Sequence, residues 1–250
     1  MDQKKLSTIN ITKVYRRLLI DHCYLCHAKS DTTLCAFCEA GFAVNQFACL
    51  LCKRPTYSEH QFICGQCQAM PPPYDVCIAP LRFESLTKSL IHSIKFHQQA
   101  DYIRPLIELL SRKLIEHYQH IEDWPTQLIF VPSHPKRIKE RGFCQTQLMA
   151  SELYKILRQK LGNRTPSFVK QSVIKKTINT QAQHTLSRKQ RLENHKGVYQ
   201  VEGIMDSHIA LFDDVMTSGN TLETCTKQLK KAGATQVDIW VIARTPDKTG

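Results

Sequence analysis

The chain has 250 residues, 42% of them hydrophobic, with 34 Lys and Arg against 22 Asp and Glu and a formal charge of +12. This suits one large domain or two smaller ones with a sizeable core, and no apolar run approaches the roughly 20 residues that span a bilayer. The charge is concentrated: residues 134–196 hold 15 basic and 3 acidic side chains, equal to the whole excess, and such a block favours a polyanion, either nucleic acid or pyrophosphate.

In chain order, residues 1–22 lack the apolar core and cleavage site of an export signal. Ile11, Val14, Leu18 and Leu19 recur there at helical spacing, with Lys13, Arg16 and Arg17 among them. The expectation is a short amphipathic segment, packed on the protein's own body or laid on a membrane surface or a partner. Eight of the 11 cysteines follow as four CxxC pairs: Cys23/Cys26, Cys35/Cys38, Cys49/Cys52 and Cys64/Cys67. Disulfides need an oxidising compartment. A CxxC turn instead aims two thiolates at one tetrahedral ion, so eight ligands imply two structural Zn²⁺ ions. Sequential pairing closes the shorter loops; a cross-braced pairing stays open. Cys77, Cys144 and Cys225 have no CxxC partner and read as small buried apolar residues.

Met70-Pro71-Pro72-Pro73 is a stiff boundary. It separates a zinc-binding domain at 23–70 from a second domain at 74–250. There the pattern predicts a strand at 76–83, helices at 85–98 and 101–120, a strand at 127–133 and a helix at 141–161. A short strand at 172–176, a strand at 208–213, a helix at 221–232 and a closing strand at 236–246 follow. Strands alternating with helices indicate a parallel α/β sheet, whose ligands bind beyond the carboxyl ends of the strands.

Two such ends carry chemistry. Residues 209–221 read IALFDDVMTSGNT: an apolar run ends in Asp213 and Asp214, and Thr217, Ser218, Gly219, Asn220 and Thr221 then open a helix. Backbone N–H groups, hydroxyls and a helix N-terminus make an anion site. The carboxylates suit neighbouring hydroxyls or a hydrated Mg²⁺. Phosphate beside a diol describes a ribose 5-phosphate. At the other end, VPSHPKRIKERGF (131–143) offers Ser133, His134, Lys136 and Arg137 to a pyrophosphate, with Arg141 beyond. The basic stretch 180–199 carries Arg188, Lys189 and Arg191 in a loop or short helix. For single-stranded DNA, the rings in or beside the basic block are Phe143, Tyr154, Phe168 and Tyr199.

The run 209–221 resembles the phosphoribosyl-pyrophosphate (PRPP) motif of type I phosphoribosyltransferases. The order of four CxxC units, LIHSIKF (90–96), VPSHPKRIKERGFCQ (131–145), TQAQHTLSRKQRLENHKGVY (180–199) and IALFDDVMTSGNT is similar to the ComF family, in both its ComFC and GntX branches. These are double-zinc-finger, phosphoribosyltransferase-like proteins of bacterial DNA uptake. The likeness runs from about residue 20 to residue 245. Where the family's segment usually reads RGFNQ, this chain has Cys144.

The resemblance implies a parallel-sheet type I phosphoribosyltransferase fold behind a small N-terminal four-cysteine zinc-binding domain. It implies two zinc ions, Mg²⁺, and PRPP as ligand or substrate. Asp213 and Asp214 would be the catalytic carboxylates on the ribose hydroxyls, Thr217 to Thr221 would hold the 5-phosphate, and Ser133, His134, Lys136 and Arg137 the pyrophosphate. Arg141, Arg188, Lys189 and Arg191 would lie on a flexible loop or contact DNA. The implied role is that of a cytoplasmic competence protein in natural transformation. It would handle incoming single-stranded DNA with other DNA-uptake proteins, with peripheral association at the inner membrane. An active phosphoribosyltransferase with an unknown acceptor and a PRPP-sensing scaffold are the alternatives.

Overall fold

The computed structural model describes residues 22–56, 59, 62–120, 123–133, 138–139, 142–171, 173–176, 199–203 and 208–246. Two compact units divide between Gly41 and Phe42. In the first, the described residues form a cysteine-rich loop and one short helix, α1 (Ala36–Ala40), whose N-cap is Cys35.

The second unit opens with another cysteine-rich loop and the short helix α2 (Gly65–Ala69). Strands β1 (Val76–Ile78) and β2 (Leu81–Arg82) follow, then helices α3 (Ser85–His97) and α4 (Ile103–Tyr118). Next come β3 (Gln127–Phe130), α5 (Gln145–Leu161), β4 (Ser167–Phe168), β5 (Ile174–Lys176) and β6 (Tyr199–Val201). The chain ends in β7 (His208–Met216), α6 (Asn220–Lys231) and β8 (Gln236–Arg244). The strand expected over 76–83 is split at Ala79-Pro80, where proline has no N–H to give a ladder.

The main sheet runs β1-β8-β7-β3-β4, with β2 also on β8, and all its pairings are parallel. The last strand of the chain is therefore interior: β8 lies between β1 and β7. The strand expected at 172–176 is not in this sheet. As β5 it pairs antiparallel with β6 in a separate two-stranded piece.

Alternation along β7 and β8 supplies two different faces. Ile209, Leu211, Val237, Ile239 and Val241 share one core with Leu222, Cys225 and Leu229 of α6, with Tyr199 of β6, and with Cys49, Cys52, Cys64 and Cys67. On the other face Trp240 packs against Tyr118 and Trp124, ring centroids 5.9 and 6.3 Å away. A sheet covered on both sides explains why β7 and β8 read as near-continuous apolar runs. The exception on β8 is Asp238, fully buried, which accepts from the Tyr118 hydroxyl at 2.5 Å and bonds His208 Nε2 at 2.8 Å. Each fully buried Leu or Ile in these layers contributes about 1.5–3 kcal/mol.

Candidate functional site

The eight cysteines form two quartets, Cys23/Cys26/Cys35/Cys38 and Cys49/Cys52/Cys64/Cys67, with the sulfurs of each within 4.8 Å of one another. The pairing is sequential, as the shorter loops favour. Both quartets have the same local build. In the first half of each, the residue after the second cysteine, at left-handed φ, points its N–H back to the first: His27 donates to Cys23 O at 2.9 Å and Lys53 to Cys49 O at 3.0 Å. In the second half, Cys35 and Cys64 cap α1 and α2, which brings Cys38 and Cys67 round onto the same side. Tetrahedral zinc–thiolate bonds of about 2.3 Å require sulfurs about 3.8 Å apart. Cys26 and Cys35 stand 3.6 Å apart, and Cys52 and Cys64 3.7 Å. The donor set and spacing fit zinc.

Against the cost of burial, backbone N–H groups at Cys26 and Cys35 bring the pKa of the Cys23 thiol down to about 6. Those at Cys52 and Cys64 bring Cys49 down to about 7. Burial raises Cys38 and Cys67, so the quartets favour a partner that carries positive charge.

At the carboxyl end of the sheet, β7 and β3 lie side by side, in register from Gln127 with Ile209 to Phe130 with Phe212. Val131 continues the pairing, its N–H donating to Phe212 O at 2.9 Å. Half-buried Ser133 thus leaves the sheet beside the Asp213-Asp214 pair. The two carboxylates remain within interaction range of one another. Asp214 is 6% exposed. Its Oδ2 accepts from Lys95 Nζ of α3 at 2.6 Å and from Gln145 Nε2 of α5, and its Oδ1 accepts from the Val215 N–H at 2.8 Å. Asp213 accepts from the Asp214 N–H at 2.9 Å. Burial, and then the neighbouring Asp214 carboxylate, push Asp213 well above the usual carboxylate range.

The loop that follows has the form of an anion cradle. Gly219 sits at φ +89°, where a Cβ would lie 2.9 Å from Met216 Cε. It caps α6, a 12-residue helix, with no side-chain hydrogen bond of its own; the first N–H of the helix, at Asn220, donates to Ser218 Oγ at 3.4 Å. Thr217, Ser218 and Asn220 are exposed, and Thr221 is half-buried. Two carbonyls at the entry to the loop are held from below the strand end. Arg244 at the end of β8, 2% exposed, donates through Nη1 to Met216 O at 3.0 Å and to Thr217 O.

Asp213, Asp214, Ser133 and the 217–221 loop are therefore brought to one end of the sheet. His134, Lys136, Arg137, Arg141, Arg188, Lys189 and Arg191 lie outside the described residues, as does the 1–21 segment. Lys95, Gln145 and Arg244 had no role assigned from the sequence. The first two sit inside LIHSIKF and RGFCQ, segments already notable there, which was the available signal. Of the rings in or beside the basic block, Phe143 is half-buried. Tyr199 is buried, and Tyr154 stacks on Phe168 at 5.8 Å, with Phe130 6.2 Å from that ring, so these rings are spent on packing. Among the described residues the exposed aromatic rings are Phe37 and Phe96. No helix of the described residues is long and apolar enough to cross a membrane.

No family model matches the chain. It is 27% identical over 232 residues to the DNA utilization protein YhgH of Escherichia coli O6:H1, which covers 89% of this chain and 96% of that protein. The protein of the same name from Salmonella typhimurium is 26% identical over 228 residues, with the same coverage. Competence protein F of Haemophilus influenzae is 28% identical over 193 residues, 75% of this chain and 80% of that protein. The resemblance to the ComF family is borne out by these relatives.

Proposed function

We propose that this chain is a DNA-uptake and utilization protein whose sheet tip binds PRPP with Mg²⁺. One observation carries the reading: Asp214 is held by Lys95 and by Gln145. Three separated segments that carry the family likeness thus meet at one carboxylate, next to a loop that opens a helix. A structural strand end has no need of that convergence.

In this reading the 217–221 loop takes the 5-phosphate through backbone N–H groups and hydroxyls. Asp213, which accepts from the Asp214 N–H and lies beside the Asp214 carboxylate, faces the ribose hydroxyls. Asp214 is held in place by Lys95 and Gln145. Ser133, with His134, Lys136 and Arg137, lies on the pyrophosphate side. Mg²⁺ supplies charge neutralisation between the carboxylates and the phosphate oxygens. The chain's own part is positioning and electrostatics. The relatives are named for DNA utilization and competence, and the basic excess over 134–196 is the part of this chain that would meet a single strand. The cytoplasm, where thiols stay reduced and available to zinc, is the compartment this reading requires.

Calorimetry of the full, zinc-loaded protein with PRPP and Mg²⁺ tests the site. Binding is expected in the parent and lost in the Asp213→Asn/Asp214→Asn double variant. A parent that gives neither heat nor a rise in melting temperature rejects it. DNA handling is tested separately: affinity for a single-stranded oligonucleotide should fall steeply between about 50 and 200 mM salt, and a flat profile counts against it.

A further inference from the structure

We propose that Arg244 couples the second cysteine quartet to the phosphate loop, with its fork positioning the loop and the metal–thiolate cluster serving as its counter-charge. The inference rests on the phosphate-loop reading above and adds a positioning residue to it.

The geometry comes first. Arg244 ends β8 and is 2% exposed. Its Nε donates to Cys52 O at 3.1 Å, and Cys52 is a member of the quartet. Its Nη1 donates to Met216 O and Thr217 O, the two carbonyls where β7 enters the loop. Thr245 adds to the same knot, its N–H donating to Met216 O at 3.1 Å. One rigid, planar side chain thus holds a backbone carbonyl of the cysteine region and two of the loop. A guanidinium fixes the angle between them in a way that a flexible ammonium does not. With Met216 O and Thr217 O held by Arg244, the path of the chain into the loop is fixed.

Charge is the second observation. Arginine stays protonated in proteins, and a buried cation needs a compensating charge. The hydrogen bonds of Arg244 all go to carbonyl oxygens and the Thr245 hydroxyl. No carboxylate among the described residues is within ion-pair distance of it; Glu223 lines the same cavity but lies further off. Four thiolates around one Zn²⁺ carry a net charge of −2, which is the compensation at hand.

The two halves of the proposal separate by substitution. Arg244→Lys keeps the charge and loses the fork; Arg244→Met loses both. With full-length zinc-loaded protein, chelator competition reads release of the second zinc and calorimetry reads PRPP–Mg²⁺ affinity. Arg244→Lys should release zinc as the parent does yet bind PRPP at least about tenfold more weakly. Arg244→Met should also release its zinc at least about tenfold more readily, the size of effect that groups behind metal ligands have. Parent-like zinc release in Arg244→Met, or parent-like PRPP affinity in Arg244→Lys, overturns the coupling. If the parent itself does not bind PRPP, the phosphate-loop reading fails on its own. The coupling is then decided by hydrogen exchange of the 217–221 amides, which should quicken when the second zinc is stripped from the parent, and is overturned if it does not.

Discussion

Asp213 and Asp214 are neighbours in sequence and opposites in physics. Asp214 has a cation, an amide and a backbone N–H as partners, whereas Asp213 has one backbone donor and a like charge beside it. Because the folded protein raises Asp213, the stability linked to its protonation is fully present below the ordinary carboxylate range and is lost as pH rises through the raised value. At neutral pH the group, whether charged or made to take up a proton, is therefore a cost to the fold. Asp213→Asn should melt higher than the parent at pH 7, with the gain shrinking to nothing near pH 3–4, roughly the value of a free carboxyl; an advantage that persists there contradicts the picture. Asp214→Asn should do the reverse at neutral pH. It leaves Lys95, whose side chain is 24% exposed, without its carboxylate, at a cost of about 1–3 kcal/mol by urea unfolding. Gly219→Ala is a third residue-scale case. The Cβ contact is with the mobile end of Met216, so left-handed backbone strain dominates, at about 1–2 kcal/mol. An unchanged urea midpoint would show that the loop relaxes freely.

Among the elements, α5 shows how one terminus serves both fold and site. Its N-cap is Cys144, in extended conformation with no side-chain cap. The next residue is Gln145, which reaches Asp214 across 69 positions of sequence. Thr146 then ties the terminus to β3 through Val131 O at 2.7 Å. An Asn at 144 could accept from the first-turn N–H groups, so Cys144→Asn should stabilise the protein by about 0.5–1 kcal/mol. A lower melting temperature would mean that the buried sulfur packs better than the cap bonds. The elements were legible where periodicity and end signals agree. Helix α6 starts at the small-residue loop and buries Leu222, Cys225 and Leu229 at helical spacing. Pairing was not legible: Ile174 reads as a strand, but nothing local says that its partner is β6 and not β3. The same holds for Lys95 and Gln145, whose roles exist only because α3 and α5 both end at Asp214.

At the scale of the molecule, the CxxC spacing predicted two metal centres, but not how differently they are embedded. In the first quartet Cys26 is exposed, Cys35 and Cys38 are half-buried, and only Cys23 is buried. All four cysteines of the second are buried, and they share a core with β7, β8 and α6. Spacing carries no information on this, because burial depends on what the loop packs against. A structural zinc contributes about 10–16 kcal/mol of apparent binding free energy, comparable with the roughly 5–15 kcal/mol that stabilises a whole domain. Where that binding is shared with the sheet's core, losing it should undo the unit; where it closes one short loop, losing it should cost that loop alone. Chelation of the native protein is therefore expected to remove zinc in two phases. The fast equivalent should leave near-ultraviolet dichroism and the main melting transition nearly unchanged. The slow one should track loss of the signal from Trp124 and Trp240, which pack 6.3 Å apart on the far face of the sheet. Release of both ions in a single phase, or loss of the second with the tryptophan signal intact, would show that the second quartet is an appendage and not part of the core.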